Sequence, residues 1–236
     1  MKYPKINTLF KRDANNIIIP SQWSLPEFEY LKNVEFECTE KIDGTNIRIE
    51  VIRENGDIFV EFAGRTDNAD IPKFLLEKLN KLFSVEKLTE VFVPQFEENE
   101  DFRITLFGEG YGNKIQKDGS KYLANDVNFI LFDINVNGIW LKRKDIVDIA
   151  YKLNIKVVPL IGKMTIEKAI EYVKKGFVST ISEDRNFIAE GLILKTPCGL
   201  LDRRGNRIIL KIKHKDFVKF KAKYGDNMNP VQPIKE

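Results

Sequence analysis

The segment Glu40-Lys41-Ile42-Asp43-Gly44-Thr45-Asn46 contains a lysine that could act as a nucleophile. A lysine amine attacks phosphorus only when deprotonated, and at its ordinary pKa of about 10.4 it is almost wholly protonated at neutral pH. Nearby cations or burial would free the amine, so a catalytic Lys41 predicts further positive charge around it. In an extended segment Asp43 projects to the same side as Lys41, where it could help hold a metal ion. The alternative is a tight Asp-Gly turn between strands with a solvated lysine.

Three more charged residues occur in strand-like segments near the C-terminal end. Lys211 and Lys213 are two positions apart, so on a strand both project from one face. Two neighbouring ammonium groups repel unless an anion lies between them, and a triphosphate is such an anion. Glu190 precedes a glycine at the start of another predicted strand, and this glycine leaves room beside the carboxylate. The alternative for the two lysines is a solvated strand edge.

The elements that must position these residues follow from hydrophobic periodicity and turn signals. Asn55-Gly56 and Asn137-Gly138 predict hairpin turns, which force antiparallel pairing. The mixture predicts an α+β domain of antiparallel sheets rather than a doubly wound parallel sheet. Strands are predicted at 34–41, 47–52, 57–63, 102–108, 128–135, 139–142, 189–195 and 207–213, and helices at 72–83, 143–153, 165–175 and 216–223.

Three intervening segments have simple structural explanations when each is taken alone. Ala63-Gly64-Arg65-Thr66 fits a turn after a strand, and Phe129 to Ile134 fits a buried apolar strand. Gly108-Glu109-Gly110 suggests a dinucleotide-binding loop, but no helix pattern follows it. Strand alternation places Phe132 and Asp133 on opposite faces, and Asp133 is therefore expected to be structural.

Taken in order, these segments resemble the covalent nucleotidyltransferase superfamily of polynucleotide ligases and RNA capping enzymes. Lys-x-Asp-Gly at 41–44 is similar to the signature of its nucleotidylated lysine, and Thr45-Asn46 resembles the ATP-dependent RNA ligase branch. The resemblance covers the chain from about Glu40 to Lys213 and corresponds to a catalytic domain only. It implies an α+β nucleotidyltransferase (ATP-grasp-like) fold of antiparallel sheets flanked by helices.

The resemblance also implies roles for individual residues. The catalytic residues would be Lys41, Lys211, Lys213 and Glu190. The residues that bind the nucleotide would be Glu40, Ile42, Asn46, Arg65, Glu109, Phe132, Lys211 and Lys213, with Phe132 stacking on adenine. The residues that hold the metal would be Asp43, Glu109 and Glu190.

The activity that the resemblance implies is ATP-dependent joining of a 3′-hydroxyl and a 5′-phosphate RNA end through a lysyl-AMP intermediate. ATP and Mg²⁺ or Mn²⁺ would be the cofactors, and RNA ends the partner. A DNA ligase and a GTP-dependent capping guanylyltransferase are alternatives within the same chemistry. A non-catalytic nucleotide- or RNA-binding module is the alternative of another class.

Composition limits the remaining possibilities. The 236 residues carry 38 Lys plus Arg against 35 Asp plus Glu, so net charge alone does not indicate nucleic acid. The single histidine, His214, argues against a Ser-His-Asp triad, and two distant cysteines fit a reducing compartment. We expect a cytoplasmic monomer with no membrane segment. One domain is expected over 1–236, with an irregular lead-in at 1–33, a flexible tail at 224–236 and no separate C-terminal domain.

One loop combines basic and aromatic residues, a pattern typical of RNA contacts. Lys114, Lys117 and Lys121 occur around Tyr111 and Tyr122. The alternative is that these lysines are simply solvated.

Overall fold

The computed structural model describes residues 1–98 and 100–225, and these form two compact units. Unit 1 comprises Met1–Tyr3, Asp43–Val158 and Ser182–Asp184. Unit 2 comprises Pro4–Ile42, Pro159–Ile181 and the stretch that begins at Arg185.

Strands and helices alternate irregularly along the chain. The strands are β1 (Asn7–Thr8), β2 (Phe10–Arg12), β3 (Ile18–Trp23), β4 (Phe36–Lys41), β5 (Thr45–Glu54), β6 (Asp57–Ala63), β7 (Phe102–Gly112), β8 (Val127–Val136), β9 (Ile139–Trp140), β10 (Lys156–Val157), β11 (Leu160–Met164), β12 (Gly191–Lys195) and β13 (Ile209–Lys213). The helices are α1 (Glu27–Tyr30), α2 (Lys73–Leu82), α3 (Val85–Phe92), α4 (Gly119–Tyr122), α5 (Arg143–Lys152), α6 (Ile166–Lys175) and α7 (His214–Tyr224), with a short 3-10 helix at Val93–Gln95.

Unit 2 is built on a sheet of order β1-β13-β12-β4-β11, beside which β2 and β3 form an antiparallel pair. β12 pairs antiparallel with both β4 and β13. Leu192, Leu194 and Ile212 share one face of this sheet and pack in a buried cluster with residues of α6 and α7. The opposite face is therefore the one on which Lys211 and Lys213 project.

Unit 1 is built on a second sheet of order β10-β8-β7-β5-β6, with β9 paired to β8. Ile47, Ile49 and Val51 alternate along β5 and pack in a buried cluster with Leu75 and Leu79 of α2. The two leucines are four residues apart and so lie on one helix face. Asn46, Arg48 and Glu50 alternate with these residues and point to the other face of the sheet.

The predicted elements are largely confirmed. Both hairpin turns have positive φ at two consecutive residues, with Asn55 at 53° and Gly56 at 89°, and Asn137 at 48° and Gly138 at 90°. Positive φ at both central residues is the geometry of a type I′ turn, whose twist matches that of the flanking strands. The fold class is confirmed as α+β with antiparallel sheets flanked by helices, although the short strands β1 and β10 pair parallel with their neighbours.

The structure differs from the prediction in several stretches. Residues 1–33 were predicted to be irregular, yet they form β1, β2, β3 and α1, elements too short to give a periodic signal. The sequence prediction also missed α3, whose N-cap Ser84 accepts a hydrogen bond from the Lys87 backbone. The tail predicted at 224–236 lies, from residue 226 onward, outside the described residues. None of the helices in the described part of the chain is long and apolar enough to span a bilayer.

Candidate active site

Lys41, Glu190 and Lys213 meet at the ends of three adjacent strands of unit 2. Gly191, the first residue of the middle strand β12, is in register with Lys41 on one side and with Lys213 on the other. Residues paired across antiparallel strands share a face of the sheet, so the two lysines project from the same face. Glu190 directly precedes Gly191, which brings its carboxylate between them.

The Glu190 carboxylate forms an ion pair with each lysine. Lys41 Nζ donates to Glu190 Oε2 at 2.5 Å, and Lys213 Nζ lies 2.6 Å from Glu190 Oε1. The Glu190 side chain is 6% exposed, and each lysine side chain is 20% exposed. Solvent therefore screens these charges only weakly.

Burial acts to raise the pKa of Glu190, but the charges of Lys41 and Lys213 and their hydrogen bonds outweigh it and lower this pKa. The carboxylate is consequently ionised at neutral pH. The sequence predicted further positive charge around Lys41. The structure places an anion in contact with Lys41, and Lys213 supplies positive charge on the same anion. A carboxylate in contact with an amine favours its protonated form.

Gly191 allows the strand arrangement that creates this cluster. Its φ is 151°, and an added Cβ would lie 1.9 Å from the Ile212 backbone oxygen. Neither the dihedral angle nor the space suits an L side chain. The close approach of β12 to β13 therefore requires glycine at this position.

Lys211 lies two residues before Lys213 on β13, in register with Ile193 of β12 and Thr8 of β1. Strand alternation places its half-buried side chain on the same face as Lys213. The four predicted catalytic residues thus belong to one unit, and three of them are in direct contact.

Glu40 differs from its neighbour Lys41 because its side chain is 1% exposed and points to the other face of β4. Its carboxylate accepts hydrogen bonds from the hydroxyls of Ser179 and Thr180 at 2.5 and 2.7 Å, and from the Thr180 backbone N–H at 2.9 Å. The side chain therefore anchors a loop. Ile42, predicted to bind the nucleotide, is 4% exposed.

In unit 1, side chains from one loop hold the turn that follows Ile42. The Asp43 backbone N–H donates to the Tyr122 hydroxyl at 3.1 Å, and the Gln116 amide donates to the Gly44 carbonyl at 2.9 Å. A Cβ on Gly44 would lie 2.2 Å from the Gly110 backbone oxygen. Glycine is needed here because the turn approaches a neighbouring strand.

Asn46 and Glu109 are in register on β5 and β7, so their half-buried side chains share a face of the unit 1 sheet. Phe107 shares that face by alternation along β7, whereas Leu106 belongs to the buried cluster on the other. Arg65 is exposed in the turn after β6. The sheet thus brings together two of the residues predicted to bind the nucleotide.

Phe132 lies at a break in the register between β7 and β8. Phe107 pairs with Asp133 and Gly108 pairs with Leu131, which leaves Phe132 as the extra residue of a β-bulge. The Tyr3 hydroxyl donates to Asp133 Oδ2 at 2.7 Å, and the Tyr3 ring packs edge-on against Phe132 at a centroid distance of 5.0 Å. One residue thus contacts both side chains. The prediction that Phe132 and Asp133 face opposite sides was wrong, because the bulge interrupts the alternation.

The Tyr3 ring also packs edge-on against Phe107 and Trp140, at centroid distances of 5.1 and 5.7 Å. Asp133 is 1% exposed and anchors the Tyr3 hydroxyl, in agreement with the structural role expected for it. Phe132 is therefore a half-buried member of an aromatic cluster on the same sheet face as Asn46 and Glu109.

Comparison with known proteins identifies the family of this chain. A family model described as RNA ligase matches residues 34–213. The chain belongs to the RNA ligase family. This match begins before β4 and ends at Lys213, so it includes both lysines of the ion-pair cluster. No curated protein matches the sequence significantly.

Solved structures of an RNA ligase share the fold of this family member. Naegleria gruberi RNA ligase with pyrophosphate has a TM-score of 0.59 at 21% identity, over 96% of this chain and 60% of that chain. Variants of the same ligase match over 92% of this chain and 59% of theirs, one with ATP and manganese (0.58, 20%) and one with AMP and manganese (0.57, 19%). The chain thus spans about three fifths of the length of these structures, and the likeness shows a common fold.

The metal ligands predicted for this RNA ligase-family chain are carboxylates, which suit Mg²⁺ or Mn²⁺. Within residues 1–98 and 100–225, no group of three or more His, Cys, Asp or Glu side chains is arranged to hold a metal ion. Mg²⁺ commonly binds one or two carboxylates together with substrate phosphates and water. Each predicted carboxylate, Asp43 and Glu109 in unit 1 and Glu190 in unit 2, is chemically suited to that mode.

Sequence reasoning missed several residues that support the site of this family member. Tyr3, Gln116 and Tyr122 contact Asp133, Gly44 and Asp43, respectively, and Ser179 and Thr180 hold Glu40. Each contact joins residues more than 70 positions apart. No local pattern in the sequence signals such pairs.

Proposed function

We propose that this chain catalyses ATP-dependent joining of RNA ends through AMP attached to Lys41. The observation that carries the proposal is the cluster of Lys41, Glu190 and Lys213 at the ends of three adjacent strands. Nucleotidyl transfer through a lysine needs a nucleophilic amine, a second cation and a positioning carboxylate. All three lie at one level of the unit 2 sheet. Membership of the RNA ligase family supports the same chemistry.

The reaction would proceed in three steps. In the first, Lys41 Nζ attacks the α-phosphorus of ATP, so that an N–P bond forms and pyrophosphate leaves. In the second, a 5′-phosphate oxygen of RNA attacks the AMP phosphorus and displaces the lysine. In the third, a 3′-hydroxyl attacks the activated 5′-phosphorus, the phosphodiester forms and AMP leaves.

The charged residues would have different roles in these steps. Lys211 and Lys213 project from one face and would contact the α-phosphate. Because the pKa of Glu190 is lowered, its carboxylate is a weak base. We assign Glu190 to positioning the Lys41 amine rather than to removing its proton. Asp43, Glu109 and Glu190 would be the residues that hold a divalent cation, which when bound would neutralise phosphate oxygens.

The face of unit 1 that carries Asn46, Glu109 and Phe132 would bind the nucleoside. Flat aromatic rings stack on bases, and the bulge at Phe132 presents its ring on that face. Arg65, whose guanidinium group is planar and permanently charged, would contact ribose or phosphate. The backbone of Glu40 and the side chain of Ile42 complete the proposed nucleotide contacts. The single domain, the monomeric state and the cytoplasmic location stay predictions.

The first experiment incubates the protein with labelled ATP or GTP and measures label on the acid-labile lysine adduct. We expect AMP on the wild type, and none on Lys41→Ala or on Lys41→Arg, because a guanidinium stays protonated. Lys163→Ala is the matched control, an exposed lysine on the neighbouring strand β11. Full labelling of Lys41→Ala would end the assignment, and labelling by GTP alone would favour a capping enzyme.

A second experiment offers nicked RNA and nicked DNA duplexes to the adenylated protein. Joining of RNA in preference to DNA is the expected result. Preference for DNA would favour the DNA ligase alternative. Failure of the wild type to form any adduct would favour a binding module without catalysis.

A further inference from the structure

The loop between β7 and β8 is fixed against the turn that follows the proposed nucleophile. It leaves β7 three residues after Glu109 and contains α4. Gln116 and Tyr122, at two points of this loop, hydrogen bond to the backbone of Gly44 and Asp43. The loop therefore cannot move freely relative to the Asp43-Gly44 turn.

A second set of bonds fixes the far end of the loop to residues 182–184, which belong to the same unit. The Ser182 hydroxyl donates to the Lys121 carbonyl at 2.6 Å, and the Glu183 carboxylate accepts from the Ala124 backbone at 2.8 Å. The backbone N–H groups of Glu183 and Asp184 donate to the Tyr122 and Lys121 carbonyls. The loop is thus held at both ends.

Two residues of the loop adopt a backbone conformation that L residues avoid. Lys114 has φ 64° and Gln116 has φ 61°. Each left-handed residue of this kind costs roughly 1 kcal/mol, and such strain persists only where surrounding contacts determine the conformation. The buried side chain of Ile115 lies between them, 4% exposed, and fixes the strained segment to the protein.

The fixed loop presents two exposed lysines whose charge is not compensated. Lys121 is paired with Asp118 at 3.1 Å. Lys114 and Lys117 are exposed, and among the residues that the structure describes neither has an ion-pair partner. Of the three lysines that the sequence indicated as RNA contacts, the structure therefore favours two.

We infer that Lys114 and Lys117 bind backbone phosphates of the RNA whose end is joined. The inference rests on the proposed function, in which the RNA end reacts with the AMP attached to Lys41. A loop that is already ordered loses little conformational entropy when it binds. Lysine is suited to the task as a point charge that contacts phosphate without reading sequence.

The test uses Lys114→Asn with Lys117→Gln in one protein. Asparagine tolerates the left-handed conformation better than most residues, so the loop keeps its shape while two charges are removed. The control carries Lys156→Gln and Lys168→Gln, two exposed lysines elsewhere in the chain that have no ion-pair partner among the described residues. Binding of a labelled single-stranded RNA with a 5′-phosphate is measured by anisotropy over a range of salt concentrations.

Each phosphate contact to a single strand contributes a slope of about 0.7 in log K against log salt. Loss of two contacts should therefore lower the slope by about 1.4 and raise Kd roughly 25-fold at 0.1 M salt. The control should bind as the wild type does. Equal binding by the loop variant and the control would overturn the inference.

AMP labelling of the same proteins separates this inference from the proposed function. The loop variant should form the lysine adduct at the wild-type rate, because neither lysine belongs to the proposed nucleotide site. If the wild type forms no adduct yet the loop variant loses RNA affinity, the proposed function fails and the phosphate contacts stand. If labelling and RNA affinity fall together, Lys114→Arg with Lys117→Arg must restore both, and failure to do so rejects the inference.

Discussion

The two units build their site residues in opposite ways. In unit 2, strict register across β4, β12 and β13 places Lys41, Gly191 and Lys213 at one level. In unit 1, a break in register between β7 and β8 places Phe132 and Asp133 on the same face. Regular pairing is suited to aligning like charges around one anion, whereas a bulge is suited to redirecting a single side chain.

The units also differ in what stabilises their site residues. The lysines of unit 2 are held by a buried carboxylate, and Phe132 of unit 1 is held by packing against other rings. Charge interactions respond to pH, whereas ring packing does not. The comparison therefore predicts that the two regions respond differently to substitution and to acid.

The largest expected effect comes from breaking the register of unit 2. Gly191→Ala places a Cβ 1.9 Å from the Ile212 oxygen at a φ of 151°. Overpacking and backbone strain together should lower the free energy of unfolding by about 4 kcal/mol. Urea denaturation measures this change.

Gly162→Ala on β11 is the control for that substitution. The nearest atom to its added Cβ is 3.6 Å away, at the end of the flexible Met164 side chain. We expect the stability of this variant to change by less than about 0.5 kcal/mol. An equal loss of stability in the two variants would show that the register at Gly191 does not hold the Lys41–Glu190–Lys213 cluster in place.

A smaller effect should follow from removing the charge of Glu190. Glu190→Gln keeps the shape but loses the charge that pairs with Lys41 and Lys213, and should lower the free energy of unfolding at pH 7 by about 2 kcal/mol. The pKa of Glu190 is lowered below its ordinary value of 4.5. Its contribution to stability is therefore present above pH 4.5 and is lost as pH falls through the folded-state pKa.

Unfolding of wild type and Glu190→Gln between pH 7 and pH 3 measures that dependence. The stability difference between them should shrink on acidification. A difference that grows or stays constant would mean that the carboxylate is not stabilised by its lysines.

In unit 1, Tyr3→Phe removes the hydroxyl that donates to Asp133 and keeps the ring. Because Asp133 is 1% exposed, the lost donor should lower the free energy of unfolding by about 1.5 kcal/mol. Tyr151→Phe serves as the control, since Tyr151 is 85% exposed. Thermal or urea unfolding compares the two, and identical stability would argue against a role for this hydrogen bond.

The smallest effect is expected from Phe132→Ala, measured as the KM for ATP in AMP labelling. Loss of base stacking by about 1.4 kcal/mol corresponds to a tenfold higher KM. Phe59→Ala, at a half-exposed phenylalanine on β6, should leave KM unchanged. A normal KM for Phe132→Ala would remove this residue from the nucleotide site.

The sequence signals that led to the candidate site residues are mostly local. Lys41, Asp43 and Gly44 occur in one short motif, and alternation alone places Lys211 and Lys213 on one face. The two Asn-Gly turns likewise fixed antiparallel pairing, since few residue pairs adopt positive φ at consecutive positions.

Only the tertiary structure decided which residues touch. The contact of Glu190 with Lys41 depends on the register of β12 between β4 and β13, which no local pattern encodes. The shared face of Phe132 and Asp133 depends on a bulge against β7. Periodicity in a sequence reports the direction of each side chain within its own strand, whereas contacts depend on how separate strands align, and that alignment is set by packing of the whole unit.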